Sequence, residues 1–210
     1  YGLSRWQPVS TENLAADLNR NVPFMRKLVA EEALTVLKKT NKHFFPLKEG
    51  EKGVVYVSIG TNNDNAFANR MRNDYNADVI YFDYKQDAST ISSTIASIKK
   101  QYKKVVIGIH AYNRTPANNF GISKNAVALV TQLQQKTNAI TFVFGNPYAI
   151  KNWCSAKNLI ACYEDDSIIH NVAIDLLQGK IPAKGKLPVT VCEKFKYGSG
   201  ITYAALSPID

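Results

Sequence analysis

Five short runs rich in β-branched and aromatic residues, each followed by a segment of helical spacing, constrain this chain more than anything else in it. Residues 53–60 (GVVYVSIG), 77–84 (ADVIYFDY), 103–111 (KKVVIGIHA), 139–145 (AITFVFG) and 158–163 (NLIACY) read as strands. Most of them carry apolar side chains at consecutive positions, so both faces of each strand must be covered. Between them, residues 66–74, 88–102, 123–137 and 166–178 read as helices, with Ile91, Ile95 and Ile98 on one face of the second and Ser123 capping the third. Residues 148–156 read as a short helix and 187–191 as a last strand. Alternation of this kind predicts an α/β three-layer sandwich: a mostly parallel, doubly wound, flavodoxin-like sheet of five to six strands with right-handed crossovers.

The first 40 residues differ. Ser10-Thr11-Glu12 offers a cap ahead of Leu14 and Leu18, and Asn21-Val22-Pro23 opens a helix expected to run to about Lys39, with Phe24, Leu28, Val29, Ala33, Val36 and Leu37 at helical spacing. Residues 1–40 therefore read as a helical connector that packs onto the domain. Within it the opening segment, with Trp6, Pro8 and Leu14, suits a connector lying across a domain boundary. Phe44-Phe45-Pro46-Leu47 is an extended apolar anchor, residues 41–192 form the sandwich, and residues 193–210, with Gly198, Gly200 and Pro208, read as a loop or connector.

Ligands of open α/β sheets approach the carboxyl ends of the strands. The loop after the first strand, Gly60 to Asn65, has neither a GxGxxG fingerprint nor a GxxxxGK[ST] phosphate loop, so no nucleotide cofactor is expected. The loop from His110 to Gly121 gathers an imidazole, a guanidinium, a phenol and amides; His110, Tyr112, Asn113 and Arg114 are the candidates for contact with a substrate or a neighbouring domain, and a merely structured loop, with His110 satisfying backbone groups at the strand end, fits the residues equally well. Asn113-Arg114-Thr115 is also a glycosylation sequon, usable only in a secreted eukaryotic protein. Glu164-Asp165-Asp166 could supply carboxylates for acid–base work, but Asp165 or Asp166 also reads as a helix N-cap. His170, one turn into that helix, could face these acids, but a lone helical histidine reads more often as a surface or packing residue. No GxSxG elbow and no metal-ligand spacing occurs, so no catalytic residue and no metal site is expected in this chain.

Cys154, Cys162 and Cys192 form no CxxC pair and do not read as a disulfide framework; Cys162 and Cys192 are expected as small core residues. Lys and Arg number 26 against 17 Asp and Glu, a formal charge of +9, with the densest clusters at Lys99-Lys100 with Lys103-Lys104 and at Lys184 with Lys186. No recognition helix, RNP-like motif or zinc module accompanies that charge, so nucleic acid is not an expected partner. No run of 18 apolar residues exists, so no membrane span is expected.

Several segments in order carry a resemblance: AEEALTVLKK leading to Phe45-Pro46-Leu47, then Phe144-Gly145-Asn146-Pro147-Tyr148, Ala161-Cys162-Tyr163-Glu164, and Gly185-Lys186-Leu187-Pro188-Val189-Thr190. Together they resemble the C-terminal α/β domain of glycoside hydrolase family 3, in the bacterial β-N-acetylhexosaminidase-like branch. The resemblance implies a preceding TIM-like barrel that carries the nucleophile, with this domain buttressing it and edging the glycan cleft. It implies a substrate containing N-acetylglucosamine, such as cell-wall fragments, and a periplasmic or extracytoplasmic site of action. Some relatives carry a following β-lactamase-like domain. In the β-glucosidase branch the second domain lends a glutamate acid/base from a loop; here residues 108–122 contain no Asp or Glu, which agrees with the hexosaminidase branch. The fragment alone is expected to be inactive. The residues also leave open a free-standing module for a small sugar or anionic ligand, and a scaffold between catalytic domains.

Overall fold

A computed structural model describes residues 10–40 and 45–206. Trp6, Pro8, Phe44 and Pro208, singled out above, lie outside them. The elements run α1 (Leu14–Asn19), α2 (Val22–Ala33), β1 (Thr35–Lys39), β2 (Val54–Ile59), α3 (Ala66–Tyr75), β3 (Asp78–Phe82), α4 (Ser89–Gln101), β4 (Lys104–Ile109), α5 (Lys124–Lys136), β5 (Ala139–Val143), β6 (Asn158–Ala161) and α6 (Ser167–Leu177). Short 3-10 turns occupy Ala117–Gly121 and Pro147–Trp153.

The sheet has six strands in the order β1-β6-β5-β4-β2-β3. β2 through β6 are parallel and follow the flavodoxin-like order, while β1 joins antiparallel at the edge beside β6. Successive side chains leave a strand on opposite faces, and here both faces are packed. Val55, Val57 and Ile59 of β2 join one core with Ile91, Ile95 and Ile98 of α4 and Leu129 and Leu133 of α5. Val54 and Tyr56 of the same strand join the other core, with Phe67 and Met71 of α3 and Val172 and Ile174 of α6. This is the three-layer sandwich the apolar runs predict.

Local signals hold at several helix starts. Asn65 caps α3, Ser123 caps α5, and Asp166 caps α6 by accepting from the N–H groups of Ile168 and Ile169. At α1 the N-cap is Asn13, with no side-chain cap bond, rather than the Ser10–Glu12 segment.

Three expectations need correcting. The helix expected to reach Lys39 ends at Ala33; Thr35–Lys39 is a strand paired with β6. The antiparallel pairing supplies the backbone bonds that β6 would otherwise leave open at a sheet edge. Residues 187–191 form no strand: Leu187 and Val191 bond to a returning segment at Ser199 and Phe195 instead. Cys154 and Cys192 form a disulfide with Cα atoms 6.9 Å apart, tying the turn before β6 to the C-terminal segment; Cys162 is free and buried, as expected. No described helix is long and apolar enough to cross a membrane.

Candidate functional site

In a doubly wound sheet the crevice is expected where strand order reverses, here between β2 and β4. That position is closed. A Cβ on Gly60 (φ +93°) would lie 2.4 Å from both the His110 carbonyl oxygen and the Tyr84 ring, and the Tyr84 hydroxyl donates to that carbonyl at 2.6 Å. The open space is displaced to the carboxyl ends of β4, β5 and β6. There a cavity of about 750 Å³ is lined by Tyr112, Asn113 and Arg114 on one side, Tyr148 on another, and Glu164 and Asp165 on a third.

The walls are fastened to one another. Asn146 donates its amide to the Arg114 carbonyl at 2.8 Å and caps Tyr148 N at 3.0 Å, while the Tyr112 hydroxyl donates to the Asn146 carbonyl at 3.0 Å. The Phe144–Tyr148 segment is thus the clamp on the 110–114 loop. The guanidinium of Arg114 is exposed, and Asn113 takes a backbone bond from its own N–H to Phe120 O at 2.8 Å.

Beneath the wall lies a cluster that only the three-dimensional arrangement assembles. Asp165 Oδ1 sits 2.7 Å from His110 Nδ1 and 2.7 Å from His170 Nε2, and its Oδ2 accepts from Ala111 N–H at 2.8 Å. On its far side His110 Nε2 meets the Tyr56 hydroxyl at 2.6 Å. The His110 ring stacks on Phe144 at 4.5 Å, and His170 meets the same ring edge-on at 4.9 Å. The imidazoles are 2% and 5% exposed and the carboxylate 26%. One arrangement satisfies these contacts with neutral rings: both imidazoles donate to the carboxylate, and Tyr56 donates to His110 Nε2. His170 Nδ1 is then a buried acceptor without a partner.

Electrostatics follow from that geometry. Burial works to raise the Asp165 carboxyl, but the hydrogen bonds from His110 and His170 and the N–H of Ala111 outweigh it and hold the group well below the ordinary carboxylate range. Burial lowers His110 below the ordinary imidazole value, against the opposing pull of Asp165. Burial also raises Tyr56, which keeps its proton available for donation.

His110, Asp165 and His170 are the one group among the described residues whose ligand atoms could surround a metal ion, all within 4.8 Å of one another. Their 2.7 Å spacings are hydrogen-bond distances, so the three groups complete each other without an ion. The other acidic positions are also engaged: Asp166 caps α6 and is paired with Arg26 of α2. Glu164 is the exposed carboxylate left facing the cavity.

Sequence reasoning therefore located Tyr112, Asn113 and Arg114 on the cavity wall, whereas His110 lies buried behind it. It allowed His170 to face the Glu164–Asp166 acids but favoured a surface or packing role, and it did not bring Asp165 to His110; the structure pairs both histidines with that aspartate.

The sequence matches no protein-family model and no curated protein. Solved structures match strongly. The chain aligns over 89% of its length with 21% of a fungal multi-domain GH3 β-N-acetylglucosaminidase, at 15% identity and a TM-score of 0.64. It aligns over 79% with 32% of a glycoside hydrolase family 3 β-N-acetylglucosaminidase from a Paenibacillus species, at 18% identity and a TM-score of 0.63. It aligns over 87% with 28% of a β-glucosidase from Listeria innocua, at 16% identity and a TM-score of 0.64. The chain thus spans less than a third of the length of each of these three proteins, and its fold is that of one portion of family 3 glycoside hydrolases.

Proposed function

We propose that this chain is the non-catalytic α/β domain of a family 3 glycoside hydrolase, acting with a TIM-like catalytic barrel on glycans that contain N-acetylglucosamine. The observation that carries the reading is the outer face of α2. Phe24, Met25 and Val29 are 62%, 55% and 64% exposed, with Leu28 beside them, although the same helix packs against α6 through Ala30 and Arg26. Contiguous apolar residues on one side of an anchored helix mark a surface made for a partner. The fold shared with one portion of longer family 3 enzymes supports a barrel as that partner. At the cavity Asp165 and Asp166 are already engaged by imidazoles, a helix start and Arg26, which leaves Glu164 without the second free carboxylate that glycoside hydrolysis ordinarily uses.

In this reading Arg114, Asn113 and Tyr148 edge the substrate cleft. The Cys154–Cys192 disulfide supports an oxidising, extracytoplasmic compartment. The test is to purify the chain and mix it with the barrel encoded with it. The chain alone should not cleave an aryl N-acetylglucosaminide. A complex should form with the barrel, and Phe24→Ser with Val29→Ser should weaken it. Lack of an encoded barrel, turnover by the chain alone, or binding unaffected by the double variant would overturn the proposal. Tight binding of free N-acetylglucosamine by the isolated chain, measured calorimetrically, would instead favour a free-standing sugar-binding module using the same cavity.

A further inference from the structure

The basic residues that look dispersed along the sequence converge at the amino-terminal edge of the sheet, opposite the cavity described above. The last turn of α4 holds Lys99 and Lys100, α5 ends in Lys136, Lys103 precedes β4 and Lys157 precedes β6. Four of them, Lys99, Lys103, Lys136 and Lys157, line a recess of about 330 Å³ together with Tyr102 and Asn138. All four side chains are exposed. Lys136 donates to Gln132 at 2.7 Å; among the described residues Lys99, Lys103 and Lys157 form no ion pair. The nearby acids are committed elsewhere: Glu51 pairs with Lys104 at 2.9 Å, and Asp78 accepts from the Tyr102 hydroxyl at 2.6 Å.

Lysines at helix C-termini gain a little from the helix dipole. That accounts for Lys99, Lys100 and Lys136, but not for Lys103 and Lys157, which stand before strands. Bringing like charges together around one concavity costs self-repulsion, which a polyanion relieves.

We propose that this recess is a docking surface for a linear anionic polysaccharide, separate from the cavity at the carboxyl edge. Three features select that chemistry. The recess is open and polar, so it suits a segment of an extended chain better than an enclosed small ligand. Gln135, Thr137 and Asn138 present amide and hydroxyl groups suited to sugar hydroxyls, and Tyr102 adds a partly exposed ring. It has neither the row of aromatic platforms that single-stranded nucleic acid stacks on nor the apolar side chains that an interfacial membrane anchor inserts.

The test uses the chain itself with fluorescently labelled heparin, which is sulfated, and alginate, which is carboxylated. Four lysine contacts with a flexible linear polyanion give a log–log slope of affinity against salt of about −3. K99Q/K103Q/K136Q/K157Q should weaken binding at least about tenfold at low salt and flatten that slope. A control that removes the same charge elsewhere, K85Q/K124Q/K194Q/K196Q, should change binding by no more than about twofold. Both quadruple variants should melt with the native chain, since every altered lysine is exposed. Binding to only one of the two polysaccharides identifies the anionic group and supports the proposal. Failure to bind either, equal losses in the two variants, or tighter binding to phosphatidylglycerol vesicles or DNA would overturn it. None of these outcomes depends on the chain's pairing with a barrel, so this proposal can fail without the previous one.

Discussion

Replacement of Asp165 by Ala is the most discriminating perturbation of the buried cluster. It removes one carboxylate that accepts from His110 Nδ1, His170 Nε2 and Ala111 N–H at 2.7, 2.7 and 2.8 Å. Each hydrogen bond to a charged group contributes about 1.5–3 kcal/mol, and a buried donor left without its partner costs about 1–3 kcal/mol. The three bonds share one carboxylate and are not additive. A quarter of that side chain is open to water, which can re-solvate part of the gap. A loss of about 3 kcal/mol follows, which for a domain of this size lowers Tm by roughly 6–12 °C. Asp165→Asn keeps one acceptor oxygen but turns its NH2 toward donors on the other side, so about 1–2 kcal/mol is lost.

The pH dependence gives a second readout. The folded pKa of Asp165 is depressed, so its contribution is present above the unfolded carboxylate value of about 3.9 and is lost as pH falls below it. The folded pKa of His110 is also depressed. The unfolded chain then binds more protons below about pH 6.5, and stability falls as pH drops from there toward the folded value. Without Asp165, His110 loses the carboxylate that opposes this depression. Asp165→Ala should therefore show a steeper decline just below pH 6.5 and a smaller decline below pH 4 than the native chain. Urea titrations at half-unit intervals from about pH 2 to 8 measure both limbs. A variant that melts within about 2 °C of native at pH 7.5, with an unchanged pH profile, would refute the reasoning.

Other substitutions probe the same framework. Opening the Cys154–Cys192 disulfide, which closes a loop of sequence separation 38, should cost up to about 4 kcal/mol, seen as a lower denaturation midpoint for Cys154→Ser/Cys192→Ser. Gly108→Ala should destabilise by about 1–3 kcal/mol, because its Cβ would lie 2.3 Å from the Tyr56 hydroxyl and 2.5 Å from His110 Nε2 and would split that pair. In a complete enzyme with its barrel, Arg114→Ala should raise KM with little change in kcat if the loop edges the cleft. Loss of the docked complex would instead make Arg114 a domain contact, and unchanged kinetics with unchanged melting would leave it as local structure.

The sheet was legible because its strands are buried on both faces, and such strands announce themselves as apolar runs regardless of neighbours. β1 was not. Val36 and Leu37 continue the helical spacing begun at Phe24, and five residues carry too little periodicity to break the tie. The choice is made by the open edge of β6, a partner more than 100 residues away. Residues 187–191 failed for the opposite reason. Their alternation fits a strand, but backbone bonds to residues 195 and 199 satisfy the segment as a folded-back loop. The disulfide lay beyond reach because spacing cannot pair cysteines that only the fold brings together.

The buried cluster could have been read further than it was, and the key is which of two adjacent aspartates caps α6. A capping side chain accepts from the N–H groups two and three residues ahead. Asp166 does so with Ile168 and Ile169, so Asp165 is the residue before the cap, in the turn that leaves β6. That turn stands at the carboxyl end of the sheet, beside the end of β4 where His110 must lie. Gly108 was the second signal. A glycine inside a buried strand marks a close approach, and two residues before a histidine on the same face it makes room for that ring and its Tyr56 partner. His170, four residues past the cap, lies one turn into the helix on the side that packs on the sheet. Each clue alone fits a bland role. Jointly they place two imidazoles around one carboxylate, and the cluster then fixes the turn carrying Glu164 and the loop carrying Arg114 to one another through Ala111 N–H. The exposed groups on the cavity wall are held by a core that no local pattern displays, which is why the residues on the wall were found and the pairing of His110 with Asp165 that holds it was not.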